Sequence, residues 1–209
     1  MKGLLLGNYY TNKKPIFIYS ILGFLLCVLL SIYIPITSCF FLMMLMTTPA
    51  TDNLKHDKET KWINFISTLP ITRGKYILSQ FVFYIMLTFL GCILSILALI
   101  IAQKDIGIVI ISLIIGLSAV LQFSISYPLT FKFGVDKSNM VFMITSFFTI
   151  FIFYILYYFL HFINDGSLEN ISINFKQSLI TSLIYLLLGI IVFLMSLSYT
   201  INMFKKLDL

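Results

Sequence analysis

Four long apolar runs constrain the fold of this chain more than any other feature. They cover about residues 76–102, 106–131, 140–162 and 178–200. Each reaches the ~20 residues that an α-helix needs to cross a hydrocarbon core of about 30 Å. With 60% hydrophobic and only 11% charged residues, the chain also lacks the polar surface that a soluble globule needs. The sequence therefore predicts an all-α, polytopic membrane protein with a single transmembrane domain over residues 1–209.

A fifth apolar run, over residues 16–51, is too long for one span. As one helix with a rise of about 1.5 Å per residue, it would be about 54 Å long. Pro35 lies near its middle and disfavours helical geometry at Ile34. We therefore predict two spans, 16–33 and 36–51, joined by a tight hairpin, which gives six transmembrane helices in total.

The basic residues indicate the orientation of these six spans. The chain carries 14 lysines and arginines, and six spans place all but Lys104 and Lys176 on one side of the membrane. Basic residues are enriched in cytoplasmic loops, so both termini and the polar segment 52–75 are predicted to be cytoplasmic. A five-helix arrangement would scatter the basic residues over both sides.

The same distribution argues against two other interpretations of the composition. A net charge of +6 suggests nucleic-acid binding in a soluble protein, but here the charges sit at the ends of apolar runs, where they orient helices. No nucleic-acid partner is expected. Cys27, Cys39 and Cys92 lie inside apolar runs without paired spacing or nearby histidines, so neither a disulfide framework nor a metal site is predicted.

The polar segment 52–75 contains a predicted short helix over residues 61–69. Thr60 suits the start of this helix and Pro70 ends it. Its apolar face, at a spacing of i, i+3, i+4 and i+7, consists of Trp62, Phe65, Ile66 and Leu69. Such a helix either lies on the membrane surface or docks into a groove of another protein. The mixed charges just upstream are unlike a lipid-binding polybasic patch, which favours a protein partner.

Two stretches of this segment resemble the permease subunits of bacterial ABC exporters of the second class. DKETKW at 57–62 is similar to the acidic, tryptophan-containing run after the second helix of these permeases, and LPITR at 69–73 is similar to the segment that leads into their third helix. The resemblance implies six spans with both ends inside, in the bacterial cytoplasmic membrane. The small size most resembles exporters of amphipathic peptides, including those of staphylococcal phenol-soluble modulins.

The resemblance also implies roles for individual segments. Residues 60–69 would be a coupling helix in a cleft of a separate P-loop ATPase, and residues 3–12 an amphipathic elbow helix along the inner leaflet. The residues implied in ATPase binding are Asp57, Glu59, Trp62, Phe65, Ile66, Leu69 and Arg73. Gln80 departs from the pattern, because many relatives carry a lysine at this place.

A pump needs an energy source, and the sequence contains no nucleotide-binding motif. The nearest glycine–lysine pair, Gly74-Lys75, has Leu69 where a P-loop needs its first glycine. We therefore expect no cofactor in this chain, with ATP and Mg bound by the partner. Six spans form half of the usual twelve-helix pathway, so a second permease subunit, in a homodimer or a heterodimer, and surrounding membrane lipid are expected partners.

Polar side chains within the membrane indicate a substrate pathway, since polar groups there are costly unless they face a cavity or another helix. The candidates cluster just before Pro128 and are Gln122, Ser124, Ser126 and Tyr127. The alternative, that they only join helices to each other, stays open. A pathway with mostly apolar walls suits a hydrophobic or amphipathic cargo, such as a peptide, a drug or a lipid-like molecule.

Two other functions compete with the permease. An intramembrane enzyme uses histidine or paired-carboxylate clusters, and His161 is the only histidine near a span, so the chain is not expected to be an enzyme. An accessory or immunity protein, which binds an ATPase or protects against a membrane-active peptide without transporting, would carry the same coupling helix. Changing Trp62 or Phe65 distinguishes the two, because only a transporter would lose export.

Overall fold

The computed structural model describes residues 2–60, 62, 73–102, 105–134, 137–164 and 174–206. Within these ranges the regular structure is helical, which confirms the predicted all-α fold class. The helices are α1 (Lys2–Ser31), α2 (Pro35–Glu59), α3 (Arg73–Ala102), α4 (Ile106–Phe123), α5 (Ser126–Phe133), α6 (Ser138–Ile163) and α7 (Phe175–Lys206).

Five segments of the described chain are long and apolar enough to cross a membrane. They are Gly3–Ser31, Gly74–Ala102, Ile106–Phe133, Ser138–Ile163 and Phe175–Met203. The third segment contains both α4 and α5, which are separated only by a turn at Ser124 and Ile125. The segments support a membrane protein. α2, where we predicted the second span, is not among the five, so the sixth span stays a prediction.

The central position of α2 explains why it is less apolar than the other long helices. It runs antiparallel to α1, because a turn at 32–34 joins the two helices and Asn12 contacts Asn53 near their far ends. α1, α3 and α4 enclose it, and its buried side chains extend from Ile36 to Asp57. A helix that faces protein on most sides does not need a lipid-like surface.

The break between α1 and α2 has a local cause. The amides of Tyr33 and Ile34 both donate to the Leu30 carbonyl, at 3.1 and 2.8 Å, and close a turn. Pro35 then begins α2. Proline has no amide hydrogen to donate, and the first position of a helix is where none is needed. The run 16–51 is thus divided into two helices at its proline.

The amino-terminal part of α1 differs from the prediction. α1 is one helix from Lys2 to Ser31 with Pro15 inside it, so a separate elbow helix over residues 3–12 is not found. Contacts with the bundle explain the difference: Leu4 is buried in the main core, and the Asn12 side chain donates to Asn53 Oδ1 at 2.7 Å. These contacts hold the start of α1 against α2.

Glycines allow α4 to approach both of its main neighbours closely. A Cβ atom on Gly116 would lie 3.0 Å from the sulfur atoms of Cys39 and Met43 in α2. A Cβ atom on Gly189 of α7 would lie only 2.8 Å from the carbonyl oxygen of Ser118. Small residues at such places let helix backbones pack tightly in membranes. α4 is therefore held between α2 and α7.

The start of α4 gives a first testable prediction. The Asp105 carboxylate accepts a hydrogen bond from the Gly107 amide at 2.8 Å and caps the helix. Asp105→Ala is expected to lower the free energy of unfolding by about 1 kcal/mol, because the amide loses its partner, while Asp105→Asn keeps most of the effect. Thermal unfolding of the purified protein in detergent measures this. Equal midpoints for the alanine and wild-type proteins would contradict it.

Candidate functional site

A buried polar cluster joins α1, α2 and α3 beside the polar segment 52–75. It consists of Asn8, Asn12, Asn53, Asp57, Tyr76 and Gln80, each of which is at most 6% exposed. Two of the residues come from each helix. Buried polar side chains are stabilising only when they are hydrogen-bonded to each other or to the backbone, so the bonding pattern decides what the cluster does.

A chain of hydrogen bonds runs through the cluster from α1 to α3. Asn12 Nδ2 donates to Asn53 Oδ1 at 2.7 Å, and Asn53 Nδ2 donates to Gln80 Oε1 at 3.1 Å. Gln80 Nε2 in turn donates to Asp57 Oδ2 at 2.9 Å, and the Tyr76 hydroxyl donates to the same oxygen at 2.7 Å. The three helices are therefore fastened together at this end.

Asp57 is the only ionisable carboxyl in the cluster. Burial raises the pKa of Asp57 above its usual value, while the hydrogen bonds from Tyr76 and Gln80 and the nearby His56 lower it in part. The sequence predicted that Asp57 binds an ATPase, yet its side chain is only 5% exposed. In this structure the carboxylate faces inward and fixes the end of α2.

The other predicted ATPase-binding residues surround the cluster or lie outside the described chain. Trp62 is partly buried and packs against the main core. It also lines a cavity of about 280 Å³ together with Asn8 and His56. Glu59 ends α2 and Arg73 begins α3, but their side chains lie outside the described part. Phe65, Ile66 and Leu69 lie outside it entirely, as do all residues of the predicted coupling helix other than 60 and 62.

Sequence reasoning missed most of this cluster. Asn8 and Asn12 are four residues apart and so share one face of a helix, which was an available signal. Gln80 was noticed only as a departure from the pattern of relatives, and in the structure it is fully buried and links Asn53 to Asp57. A polar residue at this place is therefore part of the packing between α2 and α3.

The four predicted pathway residues have different surroundings. Tyr127 is fully buried, and its ring lies 4.9 Å from that of Phe81 and 5.6 Å from that of Tyr84. Ser124 is also buried, and its carbonyl accepts a hydrogen bond from Ser196 of α7 at 2.7 Å. These two residues join helices in this structure.

Gln122 and Ser126 complete the set. Gln122 lines a cavity of about 480 Å³ between α4, α6 and α7, and Ser126 is buried with no hydrogen-bond partner for its hydroxyl in the structure. Gln122 is thus the one of the four that we place at this cavity. Within the described residues, no group of three or more His, Cys, Asp or Glu side chains could hold a metal ion.

Comparison with known proteins gives one match. A family model described as ABC-2 family transporter protein matches residues 3–205 of the chain. Neither a curated protein nor a solved structure matches it. The matched range includes every described helix almost in full.

Proposed function

This chain belongs to the ABC-2 family of transporters, and we propose that it is the permease subunit of an ATP-driven exporter of a hydrophobic or amphipathic substrate. Membership implies a transport subunit that is not itself catalytic and that works with an ATPase partner. We propose that this partner is a separate P-loop ATPase that binds ATP and Mg. The match over residues 3–205 is the observation that carries the proposal.

The position of the polar cluster supports a coupling role for the segment beside it. Asp57 lies two residues before the end of α2, and Tyr76 lies three residues after the start of α3. The segment between these helices includes residues 60–69, the proposed coupling helix. A force on this segment would reach α2 and α3 at the place where hydrogen bonds tie both to α1. We propose that the cluster passes movement of the ATPase into the bundle.

The proposed cycle depends on energy from the partner. Closure of two ATPase subunits around ATP would move the coupling segments of two permease subunits and exchange inward-open and outward-open states. ATP drives this exchange only if the ATPase binds it more tightly in one state than in the other. A second permease subunit, identical or different, would complete a twelve-helix pathway.

The proposal includes an orientation and a cargo class. Six spans, with α2 as the second, place both termini and residues 52–75 on the cytoplasmic side of a bacterial membrane, because twelve of the fourteen basic residues then face inward. The mostly apolar walls beside Gln122 suit a hydrophobic or amphipathic cargo. Export of amphipathic peptides such as phenol-soluble modulins stays a prediction.

Copurification tests the proposed function. The detergent-solubilised protein is expected to copurify with a soluble P-loop ATPase. Trp62→Ala with Phe65→Ala is expected to abolish this association, because both residues belong to the apolar face that the sequence predicts for the coupling helix. Mass spectrometry of the purified complex after crosslinking identifies the partner.

A matched control uses apolar residues away from the coupling segment. Phe17→Ala with Leu22→Ala removes two exposed side chains of α1 and is expected to leave the association intact. If no ATPase copurifies with the wild-type protein, the permease proposal is wrong. If the ATPase is bound but export is unaffected by the double substitution, an accessory protein explains the association better.

A further inference from the structure

A long apolar groove separates α6 from α7. α6 touches the rest of the bundle along one stripe of side chains and makes few contacts with α7. Two cavities of about 580 and 480 Å³ lie between them, and a third of about 600 Å³ continues the space between α5 and α7. Ile152 and Leu188 line both the first and the second cavity, while Ile125, Leu129 and Val192 line both the second and the third. The cavities therefore form one continuous groove.

The residues that line this groove restrict what it can hold. None of them is Asp, Glu, Lys or Arg, and most are aliphatic or aromatic. A charged group inside the groove would lose its hydration without gaining a partner of opposite charge. The part of any ligand that enters must therefore be uncharged and largely apolar.

Two polar side chains of the lining are buried and carry a polar atom without a hydrogen-bond partner. Gln122 lines the middle cavity and is 7% exposed, and Tyr185 lines the first and is 4% exposed. Neither Gln122 Oε1 nor the Tyr185 hydroxyl has a hydrogen-bond partner in the structure. The hydroxyl lies near Ser118 and Gln122.

Unpartnered groups of this kind favour a ligand that brings its own polar atoms. A buried acceptor without a donor is costly, so a hydrogen bond from a bound molecule would be favourable. An amide or a hydroxyl group carries both a donor and an acceptor and could serve Gln122 and Tyr185 together. Such a group on an apolar chain matches both the apolar lining of the groove and the side chains of Gln122 and Tyr185.

We propose that the groove between α6 and α7 binds a lipid-like amphiphile, with an apolar chain along the two helices and an uncharged amide or hydroxyl group at Gln122 and Tyr185. The cavity beside Gln122 falls within the ~300–1,000 Å³ that small-molecule sites occupy. A cavity of this size favours a single apolar chain over a whole α-helix, which is ~10–12 Å wide with its side chains. That the amphiphile is cargo rests on the proposed function, whereas its binding does not.

Photolabelling of the purified chain tests the site without an ATPase. The probe is an N-methyl amide of a sixteen-carbon fatty acid that carries a diazirine on its chain, and the labelled residues are mapped by mass spectrometry. Label is expected on groove residues such as Ile152 and Val192. A ketone analogue without the N–H is expected to label them about fivefold less, the loss that one hydrogen bond typically gives.

Three variants define the expected result. Leu188→Trp fills the groove and is expected to reduce its labelling at least fivefold. Leu187 is the exposed neighbour of Leu188 on α7 and does not line the groove. Leu187→Trp is therefore expected to leave labelling unchanged. Gln122→Leu keeps the size of the side chain and is expected to bring the amide probe down to the level of the ketone. Size-exclusion profiles and unfolding midpoints establish that each variant is folded.

Two outcomes would overturn the proposal. One is label spread over the exposed faces of all helices and insensitive to Leu188→Trp, which is the behaviour of surrounding lipid. The other is a groove that takes label only in the monomer and is protected in a purified dimer, because a second copy then covers it. Copurification of an ATPase is independent of both, so failure of this site and failure of the proposed function can be told apart.

Discussion

Asp57→Ala is expected to reduce the free energy of unfolding by about 2–4 kcal/mol, because it removes the acceptor of two buried hydrogen bonds. The Tyr76 hydroxyl and Gln80 Nε2 both donate to Asp57 Oδ2, and both residues are at most 1% exposed, so water cannot replace the carboxylate. Thermal unfolding in detergent measures the loss, which should appear as a lower midpoint. Copurification of the ATPase is expected to fall as well, since the end of α2 is no longer fixed.

Asp57→Asn is the matched control for this prediction. Asparagine has the same shape and keeps an oxygen that accepts from Tyr76. It also removes a carboxylate, and burial disfavours the charged form of this group. Its midpoint at neutral pH is therefore expected to equal or exceed that of the wild type. A loss as large as that of the alanine variant would show that the charge itself stabilises the cluster.

The pH dependence of the same pair of proteins has a definite sign. The pKa of Asp57 is raised in the folded protein, so the folded state binds the proton more readily than the unfolded chain. The contribution of Asp57 to stability therefore increases as pH falls from neutral through the raised pKa toward the usual carboxyl value. The Asn variant lacks this titration. As pH falls, the unfolding midpoint of the wild type should therefore rise relative to that of the variant. A constant difference would contradict the assigned shift.

Gly189→Leu is expected to separate α4 from α7 and prevent accumulation of the folded protein. A Cβ atom at this position already lies 2.8 Å from the Ser118 carbonyl oxygen and 3.2 Å from its Cα atom. These are backbone atoms, which cannot rotate away, so a larger side chain forces the two helices apart. Overpacking of this kind costs about 1–3 kcal/mol or more. The yield of monodisperse protein after size-exclusion chromatography in detergent measures the effect.

Alanine substitutions supply the control for this contact. Alanine is normally favoured over glycine within a helix by about 0.5–1 kcal/mol. Gly23→Ala, whose Cβ would meet Leu42 at an ordinary 3.6 Å, should therefore leave the midpoint unchanged or raise it. Gly189→Ala should lower it in spite of the same intrinsic preference. Equal behaviour of the two variants would mean that the α4–α7 contact tolerates separation.

The helices of this protein could be predicted from the sequence, because the long apolar runs and Pro35 act locally. Each run had to be helical, because a helix satisfies all of its own backbone hydrogen bonds in lipid. Pro35 ends α1 and begins α2 through its effect on its immediate neighbours alone. The elbow over residues 3–12 was predicted from resemblance. In the structure these residues continue α1 without a break. The burial of Leu4 and the hydrogen bond from Asn12 to Asn53, which hold this part of α1 in the bundle, are not visible in either helix alone.

The candidate site could be predicted only in part for the same reason. Asp57 was selected for its place in the 57–62 motif, but its role inside the bundle depends on Gln80, which lies 23 residues later in the chain. The pathway residues before Pro128 were selected for polarity alone, and polarity does not distinguish a cavity wall from a helix contact. Tyr127 and Ser124 join helices, whereas Gln122 lies beside the groove.

The enclosure of α2 also has a consequence for how the chain is assembled during synthesis. The partners of α2 are α1, α3 and α4, and the last of these is complete only when Phe123 has been added. At about 5–20 residues per second, the ribosome takes several seconds to reach this residue after α2 is finished. During that interval the asparagine, aspartate and methionine side chains of α2 lack part of their final surroundings. A nascent chain that stalls before α4 therefore leaves its central helix uncovered on the side that α4 would fill.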